Sequence, residues 1–324
     1  NKFGTPIFCY SEKKISDNIN NLKNNFRSFS PIICFSTKSN CNLEILKLIK
    51  RNGLGADVVS KGELMIALKA GIRPKKIVFS GVGKTRSELT YAIDKNILLI
   101  NTESKSEILE IENIAKSKNI KVDIGIRLNP NTDAKTLKQI STGRKENKFG
   151  INEKTLIEVL KYIKGSKFLN LKCLSVHIGS QILDHRPYQK MINVLDKLIR
   201  KIDYNFEYID LGGGMGIDYN KNNKKFNYKK YNQIIKKFLK KHTSKIIFEP
   251  GRSVIGDAAI LISKIIYIKE NSKKDFIILD AAMNDFMRPA LYGAKHKIIP
   301  LKRTNKITKK SYDFVGPICE TTDK

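Results

Sequence analysis

The 324-residue chain contains no run of about 18 apolar residues, so nothing in it reads as a membrane-spanning helix. Its opening, NKFGTPIFCY, lacks the charged-then-apolar layout of a secretory signal. A cytoplasmic protein with no membrane partner is the expectation. Five cysteines (Cys9, Cys34, Cys41, Cys173, Cys319) form no CxxC pair and share no zinc-type spacing with the four histidines. No metal site is expected, and an odd cysteine count points to reduced thiols. Acidic residues are scarce too: 31 stand against 61 basic ones, a formal charge of +30.

That excess is lysine, 50 residues against 11 arginines, and lysine, asparagine and isoleucine crowd every segment, as an AT-rich coding sequence would produce. The densest stretch, residues 221–245, has the charge of a polyanion-binding patch. Ile234, Ile235, Phe238 and Leu239 nevertheless form a narrow apolar face there, which leaves the lysines on the solvated remainder of a helix. No recognition motif accompanies the charge, so no nucleic-acid partner is expected. Hydrophobic residues make up 41% of the chain, enough for a sizeable core in one large domain or two ordinary ones. The chain begins with Asn rather than Met and stops at CETTDK directly after a motif, and is expected to be a piece of a longer protein.

Apolar, β-branched runs alternate with helix-period segments through most of the sequence. Strands are predicted at 32–35, 56–59, 76–79, 98–100, 122–128, 173–177, 208–211 and 245–248. Helices are predicted at 43–51, 61–70, 86–94, 105–118, 153–164, 188–202 and 231–241. Eight strands separated by helices imply parallel pairing, and eight is the number that closes a (β/α)8 TIM-type barrel. An open doubly wound sheet would give a similar alternation. After Glu249 the pattern turns to strands (259–268, 276–279, 313–315) with few convincing helices. The predicted organisation is an α/β chain: a barrel over 11–254 and a β-rich domain from 1–10 plus 255–324, incomplete at its C-terminus.

In such a barrel, function collects at the C-terminal ends of the strands. Ser36-Thr37-Lys38 follow the first, Ser60 the second, and the sixth ends at His177-Ile178-Gly179-Ser180. Gly212-Gly213-Gly214 follow the seventh, and Glu249-Pro250-Gly251-Arg252 the eighth. An amine, an imidazole, a glycine turn, a carboxylate and a guanidinium thus converge on one rim. Each has a plainer reading. The LGGGMG stretch lets backbone N–H groups approach an anion, yet a tight loop without a ligand looks the same. It does not lie in an early βαβ unit, which excludes a dinucleotide fingerprint. Lys38 is one of 50 lysines, distinguished by following an apolar strand, where a partly desolvated ammonium becomes an available amine nucleophile. A histidine closing an apolar strand is usually a satisfied core residue. Glu249, between KIIF and a Pro-Gly turn, must be paired or functional if buried.

Read in order, GTPIFCY, FSTKSN, GADVVSKGEL, ALKAGIRPKKIVFSGVGKT, ISTGRKENKFGI, HIGSQI, LGGGMGI, EPGR, DAAMNDFMRPALYGA and VGPICETTD resemble the diaminopimelate decarboxylase family over Gly4 to Asp323. SGVGKT, ENKFG, MND…RPALY and GPICE together set that family apart from its ornithine and arginine relatives. The resemblance implies a pyridoxal 5'-phosphate barrel plus a β domain, acting as a cytoplasmic homodimer on a small amino-acid substrate. It implies decarboxylation of meso-diaminopimelate to L-lysine and carbon dioxide, the last step of lysine biosynthesis.

Carried over by position, the resemblance makes Lys38 the lysine that condenses with the cofactor aldehyde. It places Asp57 near that lysine and His177 against the ring face. Ser180 and Gly212–Gly214 fall near the phosphate, with Gly251 and Arg252 beside them, and Glu249 at the ring nitrogen. Arg252, Arg288 and Tyr292 match substrate-contact positions, and Glu320 would meet a substrate ammonium. Cys319 matches the proton donor, in a segment that reaches the site from the other subunit. Bidentate arginines suit a substrate with two carboxylates. CETTD stands where the family has CESGD, so Thr322 replaces a glycine, and Ser39 replaces a common alanine. The family continues further, including a tyrosine that helps hold the cofactor. Two alternatives are a decarboxylase of another basic amino acid or polyamine precursor, for which Arg288 would be dispensable, and a non-catalytic pyridoxal-phosphate-binding protein, against which the β domain and GPICE argue.

Overall fold

Two periods of apolar residues alternate along the chain, and each becomes the element that its spacing dictates. A computed structural model describes residues 2–219, 225–302 and 310–324; residues 221–224 of the lysine-rich stretch lie outside them. Strand β1 (Ile7–Tyr10) leads into helix α1 (Glu12–Phe26). Eight parallel strands follow: β2 (Ile32–Ser36), β3 (Gly55–Val58), β4 (Ile77–Phe79), β5 (Leu99–Thr102), β6 (Val122–Arg127), β7 (Leu169–Ser175), β8 (Tyr208–Asp210) and β9 (Lys245–Phe248). Most of their residues are buried whichever way they point, as expected where helices cover the outside of a parallel sheet. Between them run α2 (Leu43–Arg51), α3 (Lys61–Lys69), α4 (Arg86–Asp94), α5 (Lys105–Lys118), α6 (Glu153–Lys164), α7 (Arg186–Ile202) and α8 (Tyr228–Leu239), with the short α9 (Arg252–Ile255) after the last strand.

Helix starts are written into the sequence as polar caps. Asn42, Ser60, Ser104 and Asn152 each accept a first-turn N–H, and Thr85 with Glu88 forms a reciprocal capping box at α4. In α8 the apolar face buries Tyr231, Ile235 and Phe238 while the lysines beside them stay exposed.

The strand order is β2 through β9 in sequence, closed by pairing of Ile32 with Ile247 and Ile33 with Phe248. That closure excludes the open doubly wound sheet. Cys34, Val78, Leu99, Cys173 and Ile247 pack together in the core. Outside it, Phe26 of α1 stacks 4.7 Å from Phe248, and Tyr188 lies 4.5 Å from Tyr231.

Three local expectations differ from the fold. The sixth strand of the barrel spans Leu169–Ser175, not 173–177. Leu169 and Leu171 are buried, while the intervening Asn170 and Lys172 both reach Asp123 across the sheet and mask the strand's hydrophobicity. The single strand expected at 259–268 is two, β10 (Ala259–Ile262) and β11 (Ile265–Lys269). The break lies at Ser263 and Lys264, whose hydroxyl and N–H both bind Asp280 Oδ1. Helix α1, with no place in the strand–helix alternation, buries Ile15, Ile19, Leu22 and Phe26 along one stripe.

The chain divides into two compact units. The larger comprises Glu12–Ile217 with Lys224–Asp257; the smaller comprises Asn1–Ser11, Asp218–Asn223 and Ala258–Lys324. In the smaller unit β1 pairs antiparallel with β10. Strand β11 pairs antiparallel with β12 (Asp275–Leu279), and β12 pairs parallel with β13 (Tyr312–Val315). Helix α10 (Arg288–Tyr292) completes it. Among the described residues no helix is long and apolar enough to cross a membrane.

Candidate active site

Strand β2 ends at Ser36 and turns at once into a single 3-10 turn, Thr37–Ser39, with Lys38 at its centre. The turn is pinned from several sides. Ser39 Oγ donates to the Ser36 carbonyl at 2.7 Å, and Thr37 Oγ1 lies 2.8 Å from the Asp57 carbonyl and 2.5 Å from Glu63 Oε2, with one proton to donate between them. Gly251 packs against its far side, where a Cβ would come within 3.0 Å of Ser39 Cβ and Oγ. Lys38 itself is exposed, so the expected desolvation of its ammonium is absent. The turn lifts the side chain off the strand end, and its neighbours single it out instead: the Lys38 charge bears on Asp57, Glu249 and His177.

Three carboxyls lie buried behind that amine. Asp57, on β3, accepts from Ser36 Oγ at 2.7 Å, while its Oδ1 has no hydrogen-bond partner among the described residues. Burial, reinforced by the Glu249 charge and opposed by Lys38, raises it to about 7. Glu249, directly after β9, is pushed well above the usual carboxyl range by burial and then by Asp210. Asp210 closes β8 and is also raised, again chiefly by burial. Ser80 Oγ donates to Glu249 Oε1 at 3.1 Å, and Asn101 Nδ2 lies 3.0 Å from Asp210 Oδ2 and 3.4 Å from Ser80 Oγ.

His177 does not end a strand, because β7 stops at Ser175. Val176 still bonds to β8, its N–H donating to the Asp210 carbonyl at 2.8 Å, and His177 follows in the rim loop. Burial, then the Lys38 and Arg127 charges, holds the imidazole well below its usual range, so it is neutral at pH 7. Its Nδ1 accepts from the Gly213 N–H at 3.3 Å, which leaves the proton on Nε2. The glycine turn is required by shape. Gly212 and Gly214 have φ of +62° and +88°. A Cβ on Gly212 would meet His177 Nδ1 at 2.6 Å, and one on Gly213 would overlap the Glu249 carbonyl. The Gly212 N–H is committed to Asp210 Oδ1 at 2.9 Å. On the same rim Arg252 Nε donates to Ser180 Oγ at 3.2 Å.

The larger unit therefore brings Lys38, Asp57, His177, Ser180, Gly212, Gly213, Gly214, Glu249, Gly251 and Arg252 to the strand-end rim. It adds residues that sequence reasoning passed over. Asp210, Asn101 and Ser80 are buried polar side chains on or just after strands, and Asp210 carried a readable signal as the charge closing YID before the glycines. Arg127, at the end of β6, pairs with Glu103 at 2.8 Å and stacks on Phe149 at 4.7 Å. Glu103 in turn accepts from the Gly150 N–H at 2.7 Å, which ties the ENKFG loop to the rim.

The remaining expected residues belong to the smaller unit. Arg288 and Tyr292 sit one helical turn apart on α10. The Arg288 guanidinium lies 4.7 Å from the Tyr219 ring centroid and 5.6 Å from that of Tyr292. Cys319 and Glu320 are exposed, and Cys319 is a free thiol. The segment that carries them is anchored by Asp323, whose Oδ1 accepts from Met283 N–H at 2.6 Å and Oδ2 from Ile318 N–H at 2.9 Å. Thr322 is not among the described residues with positive φ, so replacing a glycine there introduces no backbone strain.

Residues 12–256 match the family model of the pyridoxal-dependent decarboxylases, pyridoxal binding domain. Over 325 residues the chain is 44% identical to a diaminopimelate decarboxylase of Helicobacter pylori strain J99, spanning 99% of this chain and 80% of that protein. The chain belongs to the diaminopimelate decarboxylase family. A second member, from Aquifex aeolicus, is 42% identical over 327 residues, spanning 99% of this chain and 76% of its own. A crystal structure of the Helicobacter pylori enzyme complexed with L-lysine superimposes with a TM-score of 0.93 at 43% identity, covering 99% of this chain and 80% of that one.

The family's cofactor is pyridoxal phosphate, and the rim fits it on three observations. A primary amine stands at a strand end facing buried carboxyls. Burial raises those carboxyls above their usual range, and a protonated ring nitrogen beside them would favour their ionised forms. Arg252 and Ser180 meet on the same rim and offer a guanidinium and a hydroxyl to a phosphate.

Proposed function

We propose that this chain decarboxylates meso-diaminopimelate to L-lysine and carbon dioxide with pyridoxal phosphate held at the barrel rim. The observation that carries the reading is the convergence of Lys38, Asp57, His177, Glu249 and the Gly212–Gly214 turn, in a chain 44% identical to a named diaminopimelate decarboxylase. When bound, the cofactor supplies an aldehyde for amines and a protonated ring that accepts the electron pair of the breaking bond.

The chain's residues divide the remaining work. Lys38 offers the amine that holds the cofactor and yields it to the substrate amine. Asp57 and Glu249 place carboxyls beside that amine and the ring. Neutral His177 gives the ring an uncharged face, with Nε2–H as a donor. Ser180, Arg252 and the Gly212–Gly214 turn, with Gly251 packed against the Lys38 turn, would hold the phosphate end. Arg252, Arg288 and Tyr292 take the substrate carboxylates and Glu320 its distal ammonium, because a substrate charged at both ends needs opposite charge at each. The bond to the departing carboxylate breaks, carbon dioxide leaves, and the Cys319 thiol returns one proton to the same carbon. We assign the protein to the cytoplasm and to a homodimer whose Cys319–Glu320 segment serves the partner's barrel.

Carbon dioxide release from meso-diaminopimelate, compared with lysine, ornithine and arginine, is the direct test. Turnover confined to diaminopimelate is expected, and faster turnover of any of the other three would overturn the substrate.

A further inference from the structure

The barrel interior under Glu249 contains a closed ring of four side chains from four neighbourhoods of the fold. Asp210 (β8) lies against Glu249 (after β9), and each bears on the other's titration. Glu249 Oε1 accepts from Ser80 Oγ at 3.1 Å (after β4), and Ser80 Oγ lies 3.4 Å from Asn101 Nδ2 (β5). The same Nδ2 donates to Asp210 Oδ2 at 3.0 Å, which closes the ring. Asp210 and Asn101 are completely buried, Ser80 and Glu249 nearly so.

The donors in this ring decide where a proton sits. Two carboxyls buried against each other favour sharing one proton over both being ionised. Both oxygens of Asp210 already accept from groups that can only donate: Gly212 N–H at 2.9 Å on Oδ1, and the Asn101 amide on Oδ2. Asp210 is therefore the ionised member, and the shared proton belongs to Glu249, whose only other contact in the ring is with a hydroxyl. The absence of a side chain at Gly125 leaves the space that the Asn101 amide occupies.

Taking the cofactor assignment above as given, we propose that Asp210, held anionic by Asn101 and Gly212, is a positioning residue that leaves Glu249 carrying the one proton the pair has to present to the cofactor's ring nitrogen. Asp210 touches neither substrate nor cofactor in this role; it acts through Glu249. It also couples the ring to the glycine turn, because the same carboxylate grips Gly212. Other charged and titratable groups facing the pair are Lys38 and Arg127, Asp57 on β3, the buried thiols Cys34 and Cys173, and Tyr231 of α8. Burial and the carboxyls hold both thiols far above their usual range, so they stay neutral and contribute no competing charge.

The test needs no substrate. Infrared difference spectra of the cofactor-free chain are recorded near pH 8, above the value of about 7 for Asp57. They should show a protonated carboxyl band that is lost in both Glu249→Gln and Asp210→Asn. Survival of the band in Glu249→Gln, or in Asp210→Asn while Glu249→Gln loses it, overturns the assignment. With pyridoxal phosphate bound, the visible-absorbance titration should move by at least about one pH unit to lower values in Asp210→Asn, because the ring proton loses an anion behind it. A variant that merely loosens the fold would bind cofactor less tightly with an unmoved titration, and that outcome also overturns the proposal. Asn101→Asp, which leaves Asp210 facing a carboxylate, should depart from wild type in the same two spectra. If the spectra behave as stated but wild type releases no carbon dioxide from diaminopimelate, the substrate reading fails and the carboxyl pair stands.

Discussion

Lys38 and Asp57 show how much of the chemistry depends on single side chains at strand ends. Replacing Lys38 by Ala should abolish the visible absorbance of covalently held cofactor after dialysis; a persisting band would remove Lys38 from that role. Asp57 yields a pH prediction. Its carboxyl is raised from 3.8 to about 7 in the folded chain, so the folded state binds that proton more tightly than the unfolded state does. The stability it contributes is complete below about pH 3.8 and is lost as pH rises through about 7. Between about pH 5 and pH 8, wild type should lose about 2–3 kcal/mol relative to Asp57→Asn, read from urea unfolding. Parallel pH profiles for the two proteins would contradict that assignment. Gly213→Ala should cost cofactor affinity first, since the added methyl collides with the Glu249 carbonyl. The glycines, the lysine and the glutamate were all legible as residues; Asn101 was not, because a polar side chain inside a strand looks like a solvent-facing one until the barrel closes around it.

At the scale of elements, Asp323 organises the segment that holds Cys319. Its carboxylate takes the Met283 and Ile318 N–H groups, and a Cβ on Gly316 would overlap that carboxylate. Asp323→Ala should therefore lower turnover at least about tenfold, the scale of one lost charge-assisted anchor, while the cofactor absorbance of the barrel stays intact. Equal loss of both readouts would mean that the segment's role is global. Helix α1 offers a stability test: Ile19 is fully buried, and Ile19→Ala should destabilise the chain by about 2–4 kcal/mol in urea. The caps on Ser, Thr and Asn are a local property of the chain, because capping is a hydrogen bond between residues two or three apart. Strand β7 was harder. Two of the three positions on one face carry Asn170 and Lys172, which satisfy themselves on Asp123 of the neighbouring strand.

For the whole molecule, the proposed shared site predicts complementation. Lys38→Ala and Cys319→Ala are each expected to be inactive. Mixed as equal subunits and allowed to exchange, they should regain about a quarter of wild-type activity, since half the dimers would be hybrids with one intact site of two. No recovery, with hybrid dimers shown by mass, would place lysine and cysteine in the same subunit's site. What the sequence determined by itself was local and periodic: the strand–helix alternation, the caps, the glycine turn and the amine and carboxylate that follow strands. Those signals span a few residues, and backbone geometry alone dictates them. Tertiary structure alone decided that β2 meets β9 to close the barrel, and that Ser80 bonds Glu249 from 169 residues away. Whether Asp210 and Glu249 share a proton depends on the register of closed strands, which brings four distant side chains into one dry interior where a charge must find a partner.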